Sequence, residues 1–402
     1  MSHGETSDFA RLTRLLPEIQ AALTEFGLDG WLLYDLHARN SAANALMGVG
    51  DLTRRYFVLI PRQGQPVAIT HGIEEHPWVN WTWERQTYVA WRELDEVLHA
   101  VLGGGGRVAM EFSERDAVPS VDLIPAGVVE LVRSTGVQVI SSGDLLTRFY
   151  ARWSDADLAS HRRASATLVA VADDVFRRLA ACVEAGETLT EGTVRGWVID
   201  ELRAGGCGAG ADCIVATGLN AANPHYAAAG SGAHLEKGHV VLMDLWAKEA
   251  DDSVYADQTW MGYLGAAVPD RAARIFGIVR DARDAAVQLL QQAWQEGRVL
   301  HGSDVDDAAR NVITDQGYGA FFIHRTGHSI DRSTHGMGPN IDNLETREVR
   351  RLVPGIGFSI EPGIYIPDDI GIRSEINVFI GADGPEVTTP NPQRELRTLL
   401  SA

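Results

Sequence analysis

Cysteine, basic residues and long apolar runs are all scarce in this sequence. Only three of its 402 residues are cysteine (Cys182, Cys207 and Cys213), too few for a disulfide framework and without the paired spacing of a zinc site. We therefore expect reduced thiols and a cytoplasmic protein. The first twenty residues are polar and then amphipathic, and they lack the apolar core of a signal peptide.

The charge balance and the apolar pattern exclude two classes of partner. The chain has 35 basic and 54 acidic residues, a net charge of −19, which would repel nucleic acid and anionic lipid surfaces. No apolar run approaches the roughly 20 residues of a membrane-spanning helix. We expect neither nucleic acid nor a membrane as a partner.

A change in the pattern of apolar and charged residues along the chain predicts two domains. In the first part, short apolar runs at 31–34, 56–61 and 66–70 alternate with helical patterns, which is typical of a small α/β domain. A long charged helix begins near Asp155. The predicted domains are therefore residues 1–153 and 154–402.

The second part contains a weak internal repeat at an offset of 111 residues. The segment 186–208 aligns with 297–319, and matching glycines or apolar residues fall at five positions. Each copy follows a helical pattern and precedes strand-like runs. We interpret this as a duplicated helix–helix–strand unit, whose internal two-fold would frame one central site.

The first pair of strand-like runs carries two aspartates, Asp244 and Asp257. A hairpin centred between Ala250 and Asp251 would place these two residues directly opposite each other, with Cβ atoms about 5 Å apart. Facing carboxylates in apolar strands repel each other and are costly to bury unless a cation lies between them. This hairpin therefore predicts a metal site.

A second pair of runs, at 357–366 and 371–380, repeats the arrangement with glutamates. Glu361 and Glu375 lie at equal distances from the centre of the intervening turn, and Arg373 shares the face of Glu375. A lone strand carboxylate is more often an ion-pair partner than a ligand. Four carboxylates placed symmetrically on two hairpins favour the metal interpretation.

A histidine-rich segment, 324–339, lies between the hairpins and contains His324, His328 and His335. A lone histidine is usually a satisfied structural residue. Two aspartates, two glutamates and one histidine together suit a pair of divalent ions, and an oxygen-rich set favours a hard ion such as Mn²⁺.

The order Asp, Asp, His, Glu, Glu, with the motifs SIEPGIY and GIRSE, resembles the pita-bread metallopeptidases. It is most similar to their proline-directed branch, which contains prolidases (Xaa-Pro dipeptidases) and Xaa-Pro aminopeptidases. The resemblance implies an α/β (α+β) protein. A creatinase-like N-terminal domain would precede a pita-bread catalytic domain with a curved antiparallel sheet, an internal pseudo-two-fold and metals on the concave face.

The same resemblance implies roles for individual residues. Asp257 and Glu375 would bridge two metal ions, and Glu361 would also handle the proton of the attacking water. The implied metal ligands are Asp244, Asp257, His328, Glu361 and Glu375. The further catalytic residues would be His225, near the substrate amino end, His335, near the scissile carbonyl or the proline, His324 in the pocket, and Arg373, which would orient Glu375.

The implied activity is hydrolysis of the bond before a C-terminal proline by a hydroxide held between two divalent ions. We expect Mn²⁺, with Co²⁺ or Zn²⁺ as alternatives. Competing hypotheses are an Xaa-Pro aminopeptidase acting on longer peptides, a creatinase-like amidine hydrolase without metal, and a non-catalytic peptide-binding module. The substrate would be a small proline-containing peptide, and family resemblance implies a homodimer.

Some details depart from the family pattern. Twelve residues separate Asp244 from Asp257, two more than is common, and Gly336 follows His335 where an acidic residue is usual. These departures affect the expected substrate preference and leave the ligand set complete. For a dipeptidase, a cation must bind the substrate carboxylate, and we consider His37, Arg39, Arg54 and Arg55 as candidates. The segment from Trp78 to Trp91 is a candidate for core or subunit packing.

Overall fold

A computed structural model describes residues 7–49 and 52–401, which fall into two units, Met1–Tyr150 and Ala151–Ala402. The first six residues, on which part of the signal-peptide expectation rests, lie outside the described residues. The boundary between the units comes three residues before the predicted one. Trp153 belongs to the second unit because its backbone N–H donates to Gly355 O (2.7 Å) and its indole N–H donates to Ile330 O (2.9 Å).

The first unit is built around a six-stranded mixed sheet in the order β4-β3-β2-β1-β5-β6. Its strands are β1 Gly30–Asp35, β2 Tyr56–Pro61, β3 Val67–His71, β4 Glu84–Tyr88, β5 Arg107–Met110 and β6 Gln138–Ser141. Its helices are α1 Ala10–Glu25, α2 Ser41–Met47, α3 Trp91–Leu102, α4 Ala126–Ser134 and α5 Gly143–Phe149. The predicted strands at 31–34, 56–61 and 66–70 are β1, β2 and β3, so the α/β interpretation of this part is confirmed.

The tryptophan-rich segment of this unit divides between core and surface. Trp78 and Trp81 are buried and pack against Phe9, with ring centroids 5.6 Å and 5.0 Å away. Trp91 is exposed. Trp83 is partly buried and packs against Trp81, with centroids 4.8 Å apart. Core packing therefore accounts for the first tryptophans of the segment, and Trp91 lies at the surface.

The helices of the second unit form two pairs that repeat each other. They are α6 Asp155–Glu184, α7 Glu191–Ala204, α8 Asp270–Glu296 and α9 Gly302–Asp315. The bounds of α7 and α9 differ by 111 residues at both ends, which is the offset of the sequence repeat. Ser154 caps α6 by accepting from the backbone N–H of Asp157, and Gly297, with φ +66°, ends α8.

The strands of the second unit form two four-stranded sheets and one two-stranded ribbon. The strands are β7 Ala209–Thr217, β8 Val240–Lys248, β9 Ala256–Tyr263, β10 Ser329–Ile330, β11 Gly357–Ile360, β12 Gly363–Ile366, β13 Ile370–Arg373, β14 Ile376–Gly381, β15 Gly384–Val387 and β16 Arg397–Thr398. The sheet orders are β16-β9-β8-β7 and β10-β11-β14-β15, and β12 pairs with β13. Apart from the short parallel pair of β16 and β9, all these pairings are antiparallel.

Alternation along β8 decides which side chains reach the site. Met243 and Leu245 point into the core between the sheet and helices α6 and α7. Asp244 and Trp246 therefore point to the opposite face, where they line a cavity. Among the described residues, no helix is both long enough and apolar enough to cross a membrane.

The predicted register of the first hairpin is wrong by two residues. Asp244 pairs with Thr259, and Asp257 pairs with Trp246, so the two aspartates are diagonal neighbours and do not face each other directly. Both nevertheless lie on one face, because a two-residue slip preserves the alternation of side chains. The turn is centred one residue later than expected, between Asp251 and Asp252.

The second hairpin has the predicted register but is interrupted. β12 pairs with β13, and β11 pairs with β14, in one continuous register. Glu361 and Glu375 lie in the gap between these two ladders, where Pro362 has no N–H to donate. Asp368 occupies the turn with a positive φ of 56°. The break lets both glutamates turn into the cavity while the strands on each side keep their pairing.

Candidate metal centre

One cavity of about 220 Å³ in the second unit is lined by all nine of the predicted site residues. They are His225, Asp244, Asp257, His324, His328, His335, Glu361, Arg373 and Glu375. Six further residues share its wall: Ile214, Pro224, Trp246, Arg325, Thr334 and Glu345. Residues far apart in the sequence thus converge on one site.

Three of the predicted ligands form a tight group at the floor of this cavity. Asp257, His328 and Glu375 are buried, and each places a ligand atom within 4.8 Å of the other two. The carboxylate oxygens Asp244 Oδ1 and Asp257 Oδ1 are also buried and accept no hydrogen bond from the described residues. Buried acceptors without a donor are costly unless a cation neutralises them, so the donor set fits a metal ion.

The protonation of His328 supports the same conclusion. Its Nδ1 lies 3.2 Å from Ser329 O, and because a carbonyl only accepts, Nδ1 carries the proton. Burial, reinforced by Arg325, lowers the pKa of His328 to about 3, so the ring is neutral. Its bare Nε2 then faces Asp257 Oδ2 at 3.6 Å and Glu361 Oε1 at 3.4 Å. Three electron-pair donors face one another there, which is the arrangement that a metal ion needs.

The electrostatics of the carboxylates are equally unfavourable without a cation. Burial, and then repulsion from neighbouring carboxylates, raises the pKa of Asp257 and of Glu375 well above their ordinary values. Burial also raises the pKa of Asp244, although Arg373 opposes this. A divalent ion would remove the repulsion and hold these groups ionised.

Arg373 contacts the ligand set differently from the expectation. Its Nη2 donates to Asp244 Oδ2 (2.5 Å), and its Nε donates to Thr259 Oγ1 (2.8 Å). The Thr259 hydroxyl in turn donates to Glu375 Oε2 (2.7 Å). Arg373 therefore holds Asp244 directly and reaches Glu375 only through Thr259.

Two further residues hold the ligands, and the sequence reasoning missed both. Ser359 Oγ accepts from the backbone N–H of His328 (3.0 Å) and donates to Glu361 Oε1 (3.0 Å). Asn377 accepts from the Asp257 N–H (3.0 Å) and donates to Asp257 O (2.6 Å), which ties β14 to β9. Each lies two residues from a predicted ligand along a strand, so the period-two alternation was the available signal.

The other three histidines of the cavity differ from His328 in their contacts and their exposure. His324 is fully engaged, since Nδ1 donates to Arg325 O (2.7 Å) and Nε2 accepts from the Tyr365 hydroxyl (2.9 Å). Burial lowers its pKa to about 4. The His335 ring lies edge-on to His328, with centroids 4.5 Å apart. His225 is exposed on the loop after β7.

The cations considered for substrate binding in the N-terminal part belong to the first unit. Arg54 and Arg55 line a cavity of that unit, together with His71, Tyr88 and Trp91 among others. Arg54 donates to Thr53 O (3.2 Å). The cavity of the second unit contains arginines of its own, Arg325 and Arg373.

Comparison with known proteins identifies the family. Residues 162–382, which include all nine predicted site residues, match the model of metallopeptidase family M24. The chain belongs to metallopeptidase family M24. The predicted family and the prediction of a metallopeptidase are thereby confirmed.

Individual relatives extend the likeness to the whole chain. A probable dipeptidase PepE of Mycobacterium tuberculosis is 28% identical over 300 residues, which cover 75% of this chain and 72% of that protein. An Xaa-Pro dipeptidase of Lactobacillus delbrueckii subsp. lactis is 35% identical over 188 residues, 47% of each chain. The crystal structure of dipeptidase PepE from Mycobacterium ulcerans is 25% identical, with a TM-score of 0.69 over 98% of this chain and 100% of that one. The predicted fold class is confirmed by this match to the family over nearly the whole chain.

Proposed function

We propose that this metallopeptidase is an Xaa-Pro dipeptidase that uses two divalent ions, Mn²⁺ foremost and Co²⁺ or Zn²⁺ as alternatives. The observation that carries the metal assignment is the bare Nε2 of His328 facing two carboxylates across 3.4–3.6 Å. The likeness to proteins named as dipeptidases supports the substrate class. A cavity of about 220 Å³, below the usual range for drug-sized ligands, is consistent with a dipeptide-sized substrate.

The charge of the site favours two ions over one. Four ionised carboxylates and the Arg373 guanidinium give the cavity floor a net charge of −3. One divalent ion would leave −1, whereas two would leave +1 and attract the carboxylate group of a dipeptide. In this proposal Asp244, Asp257, His328, Glu361 and Glu375 would hold the two ions, with Asp257 and Glu375 shared between them, Asp244 on one side and His328 with Glu361 on the other.

Two divalent ions in this site would supply Lewis-acid activation of the scissile carbonyl and of water. Glu361 then takes a proton from the attacking water and passes it to the proline nitrogen as the C–N bond breaks, while the water oxygen joins the carbonyl carbon. The Ser359 hydroxyl holds Glu361 in place for this transfer. His335 stabilises the oxyanion, His225 contacts the substrate amino end, and His324 shapes the pocket beside Tyr365.

A paired hydrolysis assay tests the proposal. After reconstitution with Mn²⁺, the protein is offered Leu-Pro and Leu-Pro-Gly, with a chelated sample as control, and bound metal is counted by elemental analysis. Cleavage of Leu-Pro with two bound equivalents supports a dinuclear dipeptidase. Cleavage of the tripeptide with little dipeptide turnover would assign an Xaa-Pro aminopeptidase. No cleavage of either substrate despite two bound ions would refute proline specificity.

The proposal also covers the two domains, the location in the cell and the oligomeric state. The first unit, Met1–Tyr150, would form a creatinase-like domain and the second unit, Ala151–Ala402, the catalytic domain. The protein would be a cytoplasmic homodimer, for which the exposed Trp91 with Ile73 and Val89 offers an apolar patch on the first unit. Sedimentation analysis of wild type and Trp91→Ala tests the dimer, because loss of a contact centred on this patch would shift the variant toward monomer.

A further inference from the structure

Arg325 has an unusual position on the wall of the catalytic cavity. It follows His324 and precedes His328 by three residues, and it is only half-buried. Over the described part of the chain, its guanidinium makes no hydrogen bond or ion pair, whereas Arg373 in the same cavity is held by Asp244 and Thr259. Arg325 therefore presents an unpaired cation to whatever enters the cavity.

The backbone around Arg325 is fixed, although its side chain is free. Its N–H donates to Glu345 Oε1 (2.9 Å), and its carbonyl accepts from His324 Nδ1 (2.7 Å). Arg310 donates to the carbonyl of His324 (2.9 Å), and the Thr326 N–H donates to the fully buried Asp306 (2.9 Å). The backbone is thus held on both sides of Arg325. The guanidinium can therefore move only by rotation of its own side chain.

Arg325 shares the cavity wall with two histidines of the site, His328 and His335. The rings of these two histidines lie edge-on to each other, with centroids 4.5 Å apart. His335 is the histidine assigned above to the oxyanion, next to the residue that leaves. With two ions bound, the floor of the cavity would be positive as well, so an anion between the metal centre and Arg325 would be favoured from both sides.

A dipeptide that ends in proline has one anionic group, its carboxylate, and this group lies on the leaving side of the scissile bond. An arginine fork is the best match for a carboxylate, because it can donate two parallel hydrogen bonds. We propose that Arg325 binds the carboxylate of the C-terminal proline and so selects dipeptides over longer or blocked peptides. This inference rests on the proposed dipeptidase function. It assigns recognition of the substrate carboxylate to Arg325 in place of the cationic residues considered in the N-terminal part.

The test compares Leu-Pro with Leu-Pro-amide, which differ in the carboxylate alone. Wild type should have a lower KM for Leu-Pro than for the amide. Arg325→Met should raise KM for Leu-Pro by about 10- to 100-fold, with a smaller change in kcat, and leave KM for the amide within about twofold. Arg325→Lys keeps the charge without the fork and should recover part of the loss. Arg347→Met, at an exposed arginine outside the cavity wall, is the matched control and should change neither substrate.

A binding measurement gives a readout that does not depend on turnover. Free proline should raise the thermal unfolding midpoint of the metal-loaded wild type more than prolinamide does, and Arg325→Met should abolish this difference. Equal KM values of wild type for Leu-Pro and its amide would overturn the assignment even if no variant folds. An unchanged KM in Arg325→Met, or an equal loss on both substrates, would also overturn it while the dipeptidase function stands. Failure of wild type to cleave either substrate would remove both proposals together.

Discussion

Asn377 joins the two sheets that carry Asp257 and Glu375, and its replacement by alanine should weaken stability and metal binding together. The side chain is fully buried and bonds both the N–H (3.0 Å) and the carbonyl (2.6 Å) of Asp257. Alanine would leave one buried donor and one buried acceptor unpaired, each costing about 1–3 kcal/mol. We therefore expect a loss of about 3 kcal/mol in the free energy of unfolding.

The same change should reach the metal site through the backbone of Asp257. Loss of groups that orient a ligand typically lowers metal affinity about 10- to 100-fold. Stability is measured by urea unfolding with chelator and with excess Mn²⁺, and affinity by titration of the metal-free protein. Asn343→Ala is the matched control, because the Asn343 amide bonds Asp307 at an exposed position (2.8 Å).

Two results would contradict the prediction that Asn377 supports both stability and metal binding. If Asn377→Ala unfolds at the same urea concentration as wild type and binds Mn²⁺ with the same affinity, the contact does not hold Asp257. A loss of stability with unchanged affinity would limit Asn377 to joining the sheets. Only a combined loss, absent from the control, supports its role in positioning a ligand.

Three other changes should have separable effects. Burial lowers the pKa of His161 to about 4 in the folded protein, below the ordinary value of about 6.5. As the pH falls below 6.5, the unfolded chain therefore takes up a proton on His161 that the folded chain does not. The free energy of unfolding should fall by about 2 kcal/mol between pH 7 and pH 5 because of this difference. Urea unfolding should show a shallower pH dependence in His161→Gln, and equal dependences would contradict this. Thr259→Val removes the hydroxyl that donates to Glu375 and should lower Mn²⁺ affinity by about tenfold, so unchanged affinity would count against that link. Glu191→Gln alters the carboxylate that accepts four hydrogen bonds around the loop of His225. This change should lower kcat while the amount of bound metal stays the same. An equal loss of bound metal would show instead that the whole site is disturbed.

Period-two alternation explains both the success and the error in the first hairpin. It correctly placed Asp244 and Asp257 on one face, because the face depends only on whether positions are odd or even along the strand. It could not fix which residues pair, since a slip of two keeps every side chain on its face. The polar turn between the strands permits either centre, so the register had to come from the structure.

The same alternation could have identified more of the site than it did. Thr259, Ser359 and Asn377 each lie two residues from a predicted ligand and contact that ligand or its neighbours. The loop residues carry no such signal. Arg325 follows a histidine in an irregular segment, and only the packed structure shows that its side chain lines the cavity without a partner.

In both halves of the internal repeat, a loop that carries a histidine of the site is tied to a helix of the same half. The second helix of each repeated pair provides a buried carboxylate that binds the backbone of its own histidine segment. In α7, Glu191 accepts from the Thr217 and Ala233 N–H groups, which flank the loop of His225. In α9, Asp306 accepts from the Thr326 N–H, while Arg310 of the same helix holds the His324 carbonyl. Each half of the duplicated unit thus fixes its own loop against its own helix, and the two halves meet at the carboxylates between them.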